Sequence, residues 1–185
     1  MANQQSIHQN WRTGISLLLA EVKRDTGTNN TQAAAQQQFS SDPKYKKHTQ
    51  QVEKCLNGFD NVHEWADCIA VLKQLLKTFQ SYLQFKEIPH KLIVAKRLSQ
   101  CLTPALPTGV HQRALDVYVH ILSVLGIEGL KRDLPPWSPG LFPFFECAST
   151  SVKPALLNIY DTYYLPLQHD LRPLSRRLPR LRRRR

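Results

Sequence analysis

The sequence predicts an all-α fold. Apolar residues recur at steps of three and four, and no segment sustains the period-two alternation of a half-buried strand. The predicted helices come in consecutive pairs that start near residues 43, 89 and 141, a spacing of 46 and 52 residues. Helix-pair repeats of the HEAT and armadillo kind run at about 40–47 residues, each pair burying a face on the next. The expected architecture is a HEAT/armadillo-like α-solenoid of stacked helix pairs. A compact irregular helical bundle is the alternative.

Residues 1–41 read as a disordered leader. The stretch TGTNNTQAAAQQQFSS (26–41) is polar, low in complexity and without a face to bury. Before it, Ile15, Leu18, Leu19 and Val22 stand at the spacing of a short, weak amphipathic helix. Helical sequence begins with Asp42 as N-cap and Pro43 at the first helical position. Tyr45, Thr49, Val52, Leu56 and Phe59 mark one face, and Gly58 with the FDN that follows closes the helix. Asn61 and Glu64 have capping-box spacing for the next helix. Its stripe is Trp65, Ile69, Leu72, Leu76, Phe79 and Leu83.

Pro89 is expected to start the third helix, with Leu92, Ala95, Leu98 and Leu102 inward and Pro104 as its stop. TPALPTG (103–109) reads as a rigid connector in which Pro107 stiffens the turn and Gly109 takes a conformation other residues resist. Val110, Ala114, Val117, Ile121 and Val124 mark the fourth helix, capped by Gly126. A short helix near 127–133, the turn PPWSPG and a fully buried short helix at LFPFFECA (141–148) follow. Ser151 is expected to cap the last helix, with Val152, Leu156, Ile159 and Tyr163 inward, before Leu165-Pro166 ends it.

One domain with a substantial core suits 185 residues with 42% hydrophobic content. The net charge of +11 is unevenly placed. Residues 166–185 hold eight arginines against one aspartate, +7, which leaves 17 basic and 13 acidic residues, +4, for residues 1–165. The four cysteines form no C-x-x-C pair and stand at no zinc-ligand spacing from a histidine, so a reduced, intracellular chain is expected. ISLLLA (15–20) is too short to span a membrane, and a soluble protein is expected.

Catalytic motifs are missing. There is no G-x-x-x-x-G-K, G-x-G-x-x-G, G-x-S-x-G or H-E-x-x-H. Cys101 and His111 stand ten residues apart across a helix–turn–helix, a spacing that allows them to meet, but no third group is evident to orient the histidine. A buried cysteine and a surface or capping histidine are expected instead. Glu64 and Asp67 stand at a helix N-terminus, where carboxylates stabilise the helix dipole. The chain is expected not to be an enzyme and to need no cofactor or metal. The candidate contact residues are basic: Lys91, Lys96 and Arg97 on one helix, Arg113 on the next, then Lys131 and Arg132. These residues read first as a solvated face; the functional alternative is contact with anionic phospholipid headgroups, at about 1 kcal/mol per basic residue near a charged membrane. Nucleic acid is expected only through the tail.

EWADCIAVLKQLLKTFQ, IPHKLIVAKRLSQCLTPALPTGVHQRALDVYVHIL, SPGLFPFF and SVKPALLNIYDTYYLPLQ, in that order, resemble the N-terminal domain of the Dopey family over residues 42–168. The resemblance implies an all-helical, HEAT-like part of a large peripheral membrane scaffold. Its place would be the cytosolic face of the Golgi, trans-Golgi network and endosomes, in vesicle-mediated transport between them. Its partner would be a large scaffold resembling the Arf exchange factors, and no catalytic residue carries over. After Gln168 the family's apolar helical sequence gives way to HDLRPLSRRLPRLRRRR, whose prolines and arginines predict a disordered tail over 169–185. The alternative function is polybasic, with that tail binding nucleic acid or anionic membranes.

Overall fold

The computed structural model describes residues 41–167; the amphipathic segment around Ile15 and the arginine-rich tail lie outside the described residues. Within them the chain is helical and has no strand. The helices are α1 (Pro43–Gly58), α2 (Trp65–Gln80), α3 (Lys91–Cys101), α4 (Thr108–Arg132), α5 (Leu134–Trp137), α6 (Leu141–Cys147) and α7 (Lys153–Ile159). A 3-10 turn (Phe59–Asn61) follows α1. A π-turn (Tyr160–Tyr164) and a second 3-10 turn (Leu165–Leu167) extend α7.

Helix α1 starts where its sequence signal stands. The Lys44 N–H donates to Asp42 Oδ1 at 2.7 Å, satisfying one of the amides a helix start leaves unpaired, and Pro43 needs no such partner. At α2 the cap lies three residues later than Asn61. Asp67 Oδ2 accepts from the backbone N–H of Glu64 at 3.1 Å and of His63 at 3.2 Å, so the capping box pairs Glu64 with Asp67. The inward face of α2 is also turned. Cys68, Leu72, Leu75 and Phe79 are buried, whereas Trp65 is 53% and Leu83 61% exposed. Trp65 opens the helix and Leu83 lies three residues past its end, so neither sits on the packed middle turns.

The start of α3 differs from expectation as well. His90, not Pro89, is the N-cap, and it takes the left-handed conformation (φ 52°, ψ 35°). Val94, Ala95, Leu98 and Cys101 then face inward, and Leu92 is turned out beside Ile93. The connector to α4 is shorter than TPALPTG. Pro107 is the extended N-cap, and Gly109 already lies in the first helical turn without a positive φ. The small size of Gly109 serves proximity instead: a Cβ there would stand 3.4 Å from Ile69 Cδ1 on α2.

Helix α4 is the centre of the molecule. Val110, Ala114, Val117, Tyr118, Ile121 and Leu122 have no exposed surface, and they point to more than one side of the helix. Their surroundings are α2, α3, α5 and the α7 segment; α1 packs on α2 and α3. Gly126, with φ 64° and ψ −176°, breaks the helix where the sequence places its cap, and the last turn continues to Arg132 on a new axis.

PPWSPG folds as the short helix α5 and a tight return, with Trp137 fully buried. Gly140 closes that return against α3: a Cβ there would lie 2.8 Å from both the Ser99 Cα and the Tyr118 hydroxyl. Helix α6 buries only Leu141 and Phe144, with Phe145 40% exposed, so it is amphipathic rather than fully buried. Val152, not Ser151, caps α7; the Ser151 hydroxyl pairs with that of Ser149 at 3.1 Å. Val152, Leu156 and Ile159 face inward as expected, but Tyr164 takes the place of Tyr163. The wider π-turn adds one residue and shifts the face by one position. That shift carries the hydroxyl of Tyr164 to the Trp137 carbonyl (2.9 Å), while Tyr160 reaches that of Leu141 (2.6 Å). The carbonyl at the end of α5 thereby gains a partner, and α6 is tied to the α7 segment at its first residue.

Between α1, α2 and the turn after α2 lies an aromatic cluster. His48 is 2% exposed, stacks on Tyr82 (centroids 4.5 Å, planes 15° apart) and meets Phe79 edge-on. Neither ring nitrogen has a hydrogen-bond partner, and burial pushes the pKa of His48 down to about 4. Unfolded histidine protonates near pH 6.5, so acid favours the unfolded chain between about 6.5 and 4. The stability that neutral His48 permits is complete above that window and drains away through it. A His48→Phe variant is expected to flatten this fall, and chemical denaturation at pH 7 and pH 5 measures it. Gly140→Ala is expected to cost about 1–3 kcal/mol by forcing α3 and the return apart. Its denaturation midpoint, with an unchanged slope against denaturant, checks the point.

Candidate functional site

The six basic residues picked from the sequence do not form one open face. Lys91 Nζ lies 2.7 Å from Asp133 Oδ1 and 3.8 Å from Glu87 Oε1. Arg132 Nη2 reaches Asp133 Oδ2 at 2.9 Å and Glu87 Oε2 at 3.1 Å. Two cations and two carboxylates thus tie the α2–α3 loop and the head of α3 to the end of α4. Arg97 is buried, with Nη2 2.6 Å from Asp60 Oδ1 and its guanidinium 5.8 Å over the Phe59 ring. Arg113, on the exposed side of α4, pairs with Asp116 at 2.9 Å. Lys96 is half-buried and Lys131 exposed. The structure therefore uses Lys91, Arg97 and Arg132 to hold segments together and leaves Lys96, Arg113 and Lys131 nearer the surface.

Burial alone would raise the Asp133 pKa. Hydrogen bonds from Arg132 and Lys91 outweigh it and hold the carboxyl below its ordinary value, and the carboxylates of Asp133 and Glu87 in turn raise Arg132. The pair Cys101 and His111 is not brought into a thiol–base contact. Cys101 Sγ is buried 3.7 Å from Cys68 Sγ, and the contact with that thiol, together with burial, raises its pKa. His111 is buried, contrary to the surface or capping position expected of it; its Nε2–H donates to the Thr103 carbonyl at 2.9 Å and its ring edge meets Phe144. It fastens the connector to α4. Among the described residues no group of His, Cys, Asp and Glu is placed to hold a metal ion.

Sequence reading missed a second basic region. Lys44, Lys46, Lys47 and Lys54 on α1 and Lys73 and Lys77 on α2 are all exposed, and none has an ion pair among the described residues. Between these helices runs an open cleft of about 410 Å³. Lys54 and Lys77 stand at its rim with Gln51 and Gln74, and Cys55 and Val71 lie beneath. The lysine spacing along α1 was visible. What was not visible is that three of the nearby acidic residues are engaged elsewhere: Asp42 and Asp67 cap helices, and Asp60 holds Arg97, while Glu53 beside Lys54 stays exposed on α1.

A sequence model described as "Dopey, N-terminal" matches residues 42–178. This chain belongs to the Dopey family. It is 44% identical over 138 residues to protein DOP1B of Mus musculus and to the DOP1 homolog of Drosophila melanogaster. It is also 44% identical over 143 residues to protein DOP1 of Saccharomyces cerevisiae. These alignments cover 75%, 75% and 74% of the chain but only 6%, 5% and 8% of the relatives. The Dopey match runs past Gln168, where the sequence reading puts the departure from the family, to residue 178. No solved structure matches. Among the described residues no helix is long and apolar enough to cross a membrane.

Replacing Asp133 by Asn is expected to cost about 2 kcal/mol at neutral pH, because Lys91 and Arg132 lose their shared, buried carboxylate. The depressed Asp133 pKa gives a stability that is complete above the unfolded carboxyl value of about 4 and is lost as pH falls through the folded one. Denaturation midpoints at pH 7 and pH 3 should differ less for the variant than for the parent chain.

Proposed function

We propose that the chain is the N-terminal part of a non-enzymatic scaffold in vesicle-mediated transport between endosomes and the Golgi. The observation that carries this reading is the Dopey match over residues 42–178. The proposed site of action is the cytosolic face of the Golgi, trans-Golgi network and endosomes, as a peripheral protein. The proposed partner is a large scaffold resembling the Arf exchange factors. The solenoid form belongs to the same reading: α2 packs on α4 and α1 on α3, the contacts that two stacked helix pairs make.

Two features support a presenting surface over catalysis. Cys101 and His111, the pair closest to a catalytic arrangement in the sequence, have separate structural partners. Basic side chains and an open cleft are among the exposed features of the described residues. Anionic phospholipid is the proposed ligand of Lys96, Arg113 and Lys131, with the arginine-rich tail as a second attachment. Flotation of the full chain with Golgi-like vesicles, with and without phosphatidylserine, tests this. Binding is expected to need the anionic lipid, to weaken with salt, and to fall several-fold in a Lys96→Glu/Lys131→Glu variant. If deletion of 169–185 abolishes all binding and the double variant changes nothing, the polybasic reading replaces it.

A further inference from the structure

The α1–α2 cleft lies apart from the residues assigned to membrane contact, and its chemistry points to a different occupant. Its lining contains no carboxylate. Lys54 and Lys77 rise from opposite helices, and neither is neutralised by an acidic residue among the described residues. Unpaired like charges held at a concave site raise the local potential and favour an anionic ligand. Gln51 and Gln74 add amide donors and acceptors at the same rim. The floor is less polar: Val71 and the buried Cys55 lie there, and Cys55 Sγ already meets the Thr78 hydroxyl at 3.5 Å. Gly58 keeps this floor open, since a Cβ there would come within 3.3 Å of Val71 Cγ2.

We propose that this cleft is a docking site for an acidic segment of a partner protein, seated between α1 and α2 with carboxylates at Lys54 and Lys77 and an apolar side chain on Val71. Charge complementarity selects the acidic partner, and concavity selects a polypeptide over a bilayer. A membrane surface meets protruding side chains, whereas a cleft with cationic rims and an apolar floor receives a chain that carries both kinds of group. The exposed lysines Lys44, Lys46 and Lys47, further along α1, would steer such a segment towards the cleft at low salt. The proposal depends on the cleft alone and stands whether or not the chain works in endosome–Golgi transport.

The test uses the full chain and a fluorescent peptide in which glutamates and leucines alternate in pairs. Two variants separate charge from shape: Lys54→Glu/Lys77→Glu reverses the rim, and Gln74→Trp fills the cleft at an exposed position with no change of charge. Circular dichroism confirms that both remain helical. Both variants are expected to weaken peptide binding by about tenfold, measured by fluorescence anisotropy. Carbodiimide cross-linking should join peptide carboxylates to Lys54 and Lys77 in the parent chain. The tail is the same in every variant, so its own attraction for the peptide cancels in the comparison. Cross-links confined to other lysines, or a Gln74→Trp variant that binds as well as the parent, would overturn the proposal. So would phosphatidylserine vesicles that compete for the rim lysines while the peptide leaves no cross-link there; the region would then be a membrane-facing surface.

Discussion

Burial of α4 on several sides at once is the constraint from which the rest of the structure follows. A helix whose residues at 110, 114, 117, 118, 121 and 122 are all without solvent exposure needs neighbours around most of its circumference. Helices α2, α3, α5 and the α7 segment supply them. Each of those has an apolar side to bury, and α3, α5 and α7 are too short to hold their own helical form in water without that contact. Gly126 ends the arrangement by turning the backbone away, so that Leu130 and Leu134 close the core from a new direction.

The second constraint is electrostatic. The loop after α2, the head of α3 and the junction of α4 with α5 meet where Glu87, Lys91, Arg132 and Asp133 share four short contacts. Lys91 and Asp133 are mostly buried, so each requires the other's charge. Arg97 behaves similarly, with its stem inside the core and its guanidinium placed between Asp60 and the Phe59 ring. These pairs set the register between helices. They also explain why the basic residues picked out along α3 and α4 are not the most available positive charge among the described residues.

Availability instead falls to the exposed lysines of α1 and α2, near which Asp42 and Asp67 are committed to helix caps and Asp60 to Arg97. Membership of the Dopey family gives that surface a context. The chain is a small part of the length of the relatives it matches, and its open cleft and exposed lysines lie on the first helix pair of the described region.

Helix content, the Asp42–Pro43 start of α1 and the break at Gly126 were legible in the sequence, because N-caps, proline, glycine and apolar spacing act over a few residues. The Dopey resemblance was legible for the same reason, being carried by short stretches in order. Which face of α2 turns inward, the left-handed His90, the one-residue shift at Tyr164 and the burial of His111 were decided by neighbours far along the chain. The basic site shows the difference most clearly. Sequence alone determined where the lysines and arginines stand. Only the tertiary structure decided which remain open, because Lys91 meets Asp133 across 42 residues and Arg97 meets Asp60 across 37. Such pairings depend on distance in space, to which spacing along the chain is blind.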